Sequence, residues 1–217
     1  MKDKETSAET RDEKELMRYI LGCCAGRKQC DPEAEERLID SLGSISRLLF
    51  ASPAELTDTL NESGITRLRI VRAMFVLTEL EKLGKTISAA DENKIRRYIS
   101  LLFMPHTAEA MYVIPITGKV LGDPYLLAKG NATSVNIDPE RIISVLESSP
   151  SCKEYILCHN HPKDTCKPSD GDIEATNRLF GYLFTCGYTL KAHYISGTDG
   201  VGCVPFDNNP IRYLFGR

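Results

Sequence analysis

Apolar positions in roughly the first third of the chain recur at helical spacing. Leu16, Tyr19, Ile20 and Cys23 fall on one face of a helix. Asp31-Pro32-Glu33 opens the next helix: an acid caps it, proline suits its first turn, and acids meet the positive end of its dipole. That helix is expected to end at Leu42, before Gly43. Ser52 and Glu55 have the spacing of a capping box. A longer helix is predicted over residues 67–83, stopped by Gly84. Residues 1–10 are polar and read as a frayed terminus.

The pattern changes beyond the linker candidate Gly84-Lys85-Thr86-Ile87-Ser88-Ala89-Ala90. A helix over 91–103 comes first, then a strand over 112–116, a turn at Thr117-Gly118-Lys119 and a return through Val120-Leu121. Pro115 has no N–H for a ladder, which predicts an edge or a bulge. Asp138-Pro139 starts a helix that reaches Leu146. Residues 155–158 read as a short buried strand, 169–184 as a helix and 190–195 as a further strand. The predicted class is α/β of the α+β kind. A helical domain covers 1–84, a linker and connecting helix 85–104, and a mixed sheet flanked by helices 105–217.

The 217 residues suffice for one large domain or two small ones, and 42% hydrophobic with 26% charged content excludes a disordered chain. Lys and Arg number 27 against 30 Asp and Glu, a net charge of -3. No global field therefore favours nucleic acid or anionic membrane, and such binding would need a local basic patch. No segment approaches the roughly 18–20 apolar residues of a membrane span, and the opening residues lack a signal-peptide core. The expectation is a cytoplasmic chain without membrane contact. The eight cysteines contain no C-x-x-C pair and read as reduced, mostly buried side chains.

The chemistry concentrates in His159-Asn160-His161-Pro162. Residues two apart on an extended backbone point to the same side, so two imidazoles at a strand end can converge on one metal. The chain then turns to a helix start with Ser169 as cap and Asp172 one turn inside. Two histidines and a carboxylate leave a fourth position for water, the arrangement of a catalytic zinc site.

His159-x-His161, seven residues, Ser169, two residues and Asp172 resembles the His-x-His-x7-Ser-x2-Asp signature of JAMM/MPN+ zinc metallopeptidases. The fuller run, with Pro168 before Ser169 and Thr176 after Asp172, is most similar to the bacterial RadC branch. Ala192-His193-Tyr194-Ile195-Ser196-Gly197 resembles that branch's Asp-His-Ile-Ile-Gly strand, with Ala192 where the acid usually stands. The resemblance implies a JAMM/MPN-like sheet domain and, ahead of it, a helix-hairpin-helix-like region.

It also implies a general base where a helix gives way to the first strand. Glu109-Ala110-Met111-Tyr112-Val113-Ile114 is similar to RadC's Glu-Val-Phe-Leu-Val-Leu, which selects Glu109. Glu154 is the rival, but five residues of strand separate it from His159. The implied reaction is hydrolysis of a peptide or isopeptide bond in a protein or peptide substrate. His159, His161 and Asp172 would hold Zn²⁺, Glu109 would take the proton of water, and Ser169 would help stabilise the oxyanion. His106 and His193 are left outside the site, since a mid-strand histidine such as His193 is more often a buried residue or one that supports a ligand than a ligand itself.

The stretch 60–67 lies where a helix-hairpin-helix would carry its Gly-h-Gly turn, with Thr66 in place of the second glycine. Arg67, Arg69 and Arg72 follow. A weak DNA contact is the most this region predicts. The rival to the hydrolase is accordingly a DNA-associated repair or binding module with a structural or vestigial metal site.

Overall fold

The computed structural model of this chain describes residues 2–26, 31–130, 138–149 and 151–206, with side chains from residue 12 onward. Its backbone packing divides into two units, 1–79 and 80–217.

In the first unit, α1 (Lys2–Ala25) includes residues 2–10, the stretch expected to fray. Its lysines, glutamates and alanines are strong helix formers even without an apolar stripe. α2 (Pro32–Leu42) begins and ends as predicted: the Asp31 side chain accepts from the Glu33 N–H, and Gly43 closes it at φ 68°. α3 (Ile45–Phe50), capped by Ser44, was not predicted, because six residues are too few to display a period. α4 (Pro53–Leu56) carries the capping box of Ser52 and Glu55. Met17, Leu21, Ile39, Leu48 and Leu60 form the buried centre of this unit.

α5 (Glu62–Leu83) starts ahead of residue 67, so the stretch read as a hairpin turn is mostly helix. The Asn61 side chain accepts from the Gly64 N–H at 2.9 Å and caps it. Gly64 serves close packing, since a Cβ there would lie 3.1 Å from the Cys24 carbonyl oxygen. Arg67 donates to that same carbonyl at 2.5 Å and satisfies an end of α1. The Arg72 guanidinium lies 5.5 Å over the Phe50 ring.

The second unit is built on one six-stranded sheet. Its elements are α6 (Glu92–Phe103), β1 (Glu109–Thr117), β2 (Val120–Leu121), β3 (Tyr125–Gly130), α7 (Pro139–Ser148), β4 (Glu154–Asn160), α8 (Asp170–Thr185), β5 (Thr189–Gly197) and β6 (Gly200–Cys203). The order is β2-β1-β4-β5-β6, with β3 also paired to β1. Only β4 and β5 are parallel, as the α8 crossover between them requires.

β1 is not the edge strand its proline predicts. It has β4 on one side and β2 and β3 on the other. The Pro115 carbonyl accepts from Gly122 at 2.8 Å on the β2/β3 side. The missing N–H faces that same side, in the gap between the β3 pairing, which stops at Val113, and the β2 pairing, which starts at Ile116. No ladder bond is lost there.

Alternation along β1 and β4 gives the sheet two buried faces. Ala110, Ile114, Ile156 and Cys158 pack with Ile95 and Ile99 of α6. Arg96 of α6 also donates to the Val201 carbonyl of β6 and lies 5.4 Å over the Tyr194 ring. On the other face, Met111, Val113, Tyr155 and Leu157 pack with Ile142 and Leu146 of α7 and with Leu179, Phe180 and Leu183 of α8.

β3 and β6 were not predicted. β3 is mostly exposed without alternation, and two of the four residues of β6 are glycines, so pairing rather than propensity makes them strands. Among the described residues no cysteine forms a disulfide, but the expectation that most are buried needs correction. Cys24, Cys152 and Cys158 are buried, whereas Cys23, Cys186 and Cys203 are exposed. They lie on the outer side of a helix, at a helix end and on an edge strand.

Candidate metal centre

β4 runs further than predicted and carries His159 inside the strand, next to its last residue Asn160. His159 shares the odd-numbered face with Tyr155 and Leu157, the face covered by α8. His161 is the first residue past the strand, and its N–H still bonds to the Ser196 carbonyl of β5 at 2.8 Å. The chain then loops to Ser169, the N-cap of α8, whose first turn brings Asp172 over the end of β4.

Three candidate ligand side chains meet at this point. His159 Nε2 and His161 Nε2 are 3.0 Å apart. Asp172 Oδ1 lies 3.2 Å from the first and Asp172 Oδ2 3.6 Å from the second. Four-coordinate zinc with bonds of about 2.0–2.1 Å spaces its ligand atoms by about 3.3 Å, so the set fits that ion. Among the described residues this is the one cluster of His, Cys, Asp and Glu that could hold a metal.

The donor chemistry agrees. His161 Nδ1 lies 3.0 Å from the Thr165 carbonyl oxygen, which can only accept, so Nδ1 carries the hydrogen and Nε2 is bare. Asp172 closes a full capping box. Its Oδ2 accepts from the Ser169 N–H at 2.8 Å and from the Ser169 hydroxyl at 2.7 Å, while its own N–H donates to Ser169 Oγ at 3.2 Å. Burial alone would raise the pKa of Asp172. Neighbouring His159 and the hydrogen bonds from Ser169 outweigh it and hold the carboxyl well below the usual range, which keeps it anionic.

Glu109 is the first residue of β1. Met111 pairs with His159, and alternation puts Glu109, two positions on, on the same face as that histidine. Asn160 holds this strand end. Its buried side chain accepts from the Ala110 N–H at 2.7 Å and donates to the Ala108 carbonyl at 3.2 Å, the two peptide groups that flank Glu109. Glu154 stands at the other end of β4 and pairs with Lys191 at 3.4 Å. His106 bonds the Tyr112 hydroxyl at 3.0 Å, away from the cluster.

Two further residues enter the site that motif reading left outside it. His193 of β5 is buried, and its Nε2 lies 2.8 Å from His159 Nδ1. Thr176 of α8, also buried, has its Oγ1 2.7 Å from His193 Nδ1. Burial first, and then neighbouring His159, pushes the His193 pKa well down and keeps the ring neutral. The signals were legible: His193 sits mid-strand beside Ala192, Tyr194 and Ile195, and Thr176 is four residues past Asp172, on the same helix face. The Asn160 clamp had no signal beyond its place between the two histidines.

The chain thus places a His-x-His pair at the end of a central strand and a carboxylate in the first turn of the crossover helix, in a mixed sheet. The model of the RadC-like JAB domain matches residues 90–209, and the chain belongs to that family. Curated relatives agree. A UPF0758 protein of Porphyromonas gingivalis is 28% identical over 86% of this chain and 83% of its own length. One from Rhodobacter capsulatus is 28% identical over 88% of this chain and 89% of its own. Another, from Vibrio campbellii, is 26% identical over 77% and 75%.

Proposed function

We propose that this protein is a zinc-dependent hydrolase of peptide or isopeptide bonds. The observation that carries the reading is the convergence of two imidazole nitrogens and an anionic carboxylate, with a second carboxylate on the same sheet face. His159 and His161 would hold Zn²⁺ through Nε2 and Asp172 through its carboxylate. When bound, the ion supplies Lewis acidity and brings the pKa of water down toward about 7.

The remaining steps fall to side chains of this chain. Glu109 accepts the proton of the attacking water and returns it to the leaving amine. Asn160 keeps β1 against β4, so that Glu109 stays beside the ligands. The Ser169 hydroxyl, bonded to Asp172 Oδ2 at rest, turns to the oxyanion as charge develops there. A protein or peptide is the substrate class. The weak DNA contact expected from Arg67, Arg69 and Arg72 is not part of this reading, because Gly64 lies within α5 while Arg67 and Arg72 hold Cys24 and Phe50.

The test begins with metal content before and after chelation. Wild type should take up about one zinc per chain, His161→Ala should take up none, and Cys158→Ala should match wild type. Cys158 faces away from the cluster and its thiol pKa is pushed up by burial, which disfavours the thiolate a metal needs. Equal retention in both variants would overturn the ligand assignment. Zinc-loaded protein is then assayed on peptide and isopeptide substrates, where turnover abolished by His161→Ala supports the hydrolase.

A further inference from the structure

The hydrogen bonds behind His159 run in one direction only. Thr176 Oγ1 is 2.5 Å from the carbonyl oxygen of Asp172, four residues earlier in α8. A carbonyl has no hydrogen to give, so the hydrogen between the two oxygens is the threonine's own. A hydroxyl has one hydrogen, and toward His193 it can therefore only accept. His193 Nδ1, 2.7 Å away, must carry the N–H. The ring is buried in the sheet, and in its neutral form that leaves Nε2 as a lone pair. His159 Nδ1 lies 2.8 Å from this lone pair and has to donate to it. The hydrogen of His159 is thereby fixed at Nδ1, and Nε2 is left bare.

We propose that His193 and Thr176 are positioning residues that lock His159 in its Nδ1–H tautomer and aim Nε2 at the metal. The inference rests on the metal-site reading above. The bonds run from the Asp172 carbonyl through Thr176 and His193 to His159, whose Nε2 faces Asp172 Oδ1 at 3.2 Å. One turn of α8 thus supplies a ligand and also the group that orients the ligand opposite. The two ligand histidines are held differently. His161 is oriented by a backbone carbonyl, which any sequence provides, whereas His159 depends on two particular side chains. Partners of this kind usually change metal affinity by about 10–100-fold when removed.

The experiment combines imidazole nitrogen NMR with zinc titration against a competing chelator, on the full chain. In wild type, both His159 and His193 should be Nδ1–H tautomers, in the metal-free and the zinc-loaded protein alike. His193→Leu should weaken zinc binding by about 10–100-fold. His193→Gln should recover most of the loss, because its amide oxygen can accept from His159 and its NH₂ can donate to Thr176. Thr176→Val should leave His193 in a mixture of tautomers. An Nε2–H tautomer of His193 in wild type overturns the inference, and so does a folded His193→Leu that binds zinc as tightly as wild type. If His193→Leu does not fold, the wild-type tautomers and Thr176→Val decide. A wild-type chain that takes up no zinc overturns the metal reading instead, and the metal-free tautomers still decide this one.

Discussion

Asp172 shows how much one residue carries. Its carboxylate is a metal ligand candidate and the N3 partner of the Ser169 cap, while its carbonyl receives the Thr176 hydroxyl. Asp172→Asn separates these functions. The amide keeps the shape and an oxygen for the cap but loses the charge, so zinc affinity should fall sharply in a chelator competition while helix content by circular dichroism hardly changes. Unchanged affinity would move attention to Asp164 in the same loop. Glu109→Gln is the matching test of the base. Zinc should stay bound at the wild-type level, and turnover on whichever substrate wild type cleaves should drop by about 10²–10⁴-fold. A zinc-loaded Glu109→Gln as active as wild type would remove Glu109 from the mechanism.

At the scale of elements, the loop from His161 to Ser169 is held from outside by the β5–β6 hairpin. Thr198 donates to the Asp164 carbonyl at 2.8 Å, and the Cys166 N–H donates to Asp199 Oδ1 at 2.7 Å. The loop lies so close that a Cβ at Gly197 would overlap the backbone nitrogen of Cys166, and one at Gly202 the Cys166 carbonyl. Neither obstacle is a flexible side-chain tip. Gly197→Ala should therefore cost about 1–3 kcal/mol by overpacking and weaken zinc binding, because the displaced loop carries His161. Gly22→Ala is the control: open space surrounds a Cβ there, and alanine in a helix should gain about 0.5–1 kcal/mol. Thermal melts of both variants check the pair. If Gly197→Ala melts and binds zinc like wild type, the hairpin does not constrain the loop.

At the scale of the molecule, the candidate metal ligands all lie in the second unit, since β4 and α8 both fall within 80–217. A ligand stabilises only the structure it binds, by about 2.7 kcal/mol at a free concentration one hundred times its Kd. Zinc loading should slow amide hydrogen exchange in β4 and in the first turns of α8 while leaving α2 and α3 unchanged. Mass spectrometry of exchanged peptides with and without a chelator reads this directly. Equal protection of α2 and α3 would mean that the two units respond to metal together. Among the described residues no helix is long and apolar enough to cross a membrane.

Local rules sufficed for much of this chain. Asp31, Ser52, Ser169 and the glycines that close helices act over three or four residues, so the helix boundaries they set were legible without a fold. The two-residue period of an extended chain likewise announced that His159 and His161 would share a side, and the spacing to Asp172 pointed to the carboxylate that joins them. What lay out of reach depends on pairing between residues distant in sequence. β3 and β6 are strands only because β1 and β5 offer them partners, and Pro115 is tolerated within a central strand only because two short neighbours meet beside it. Gly64 reads locally as a turn residue, yet its role is to let one helix approach another. His193 lies 34 residues from His159. Only the parallel pairing of β4 and β5, under a helix that carries Asp172 in its first turn and buries Thr176, brings an isolated mid-strand histidine within 2.8 Å of His159.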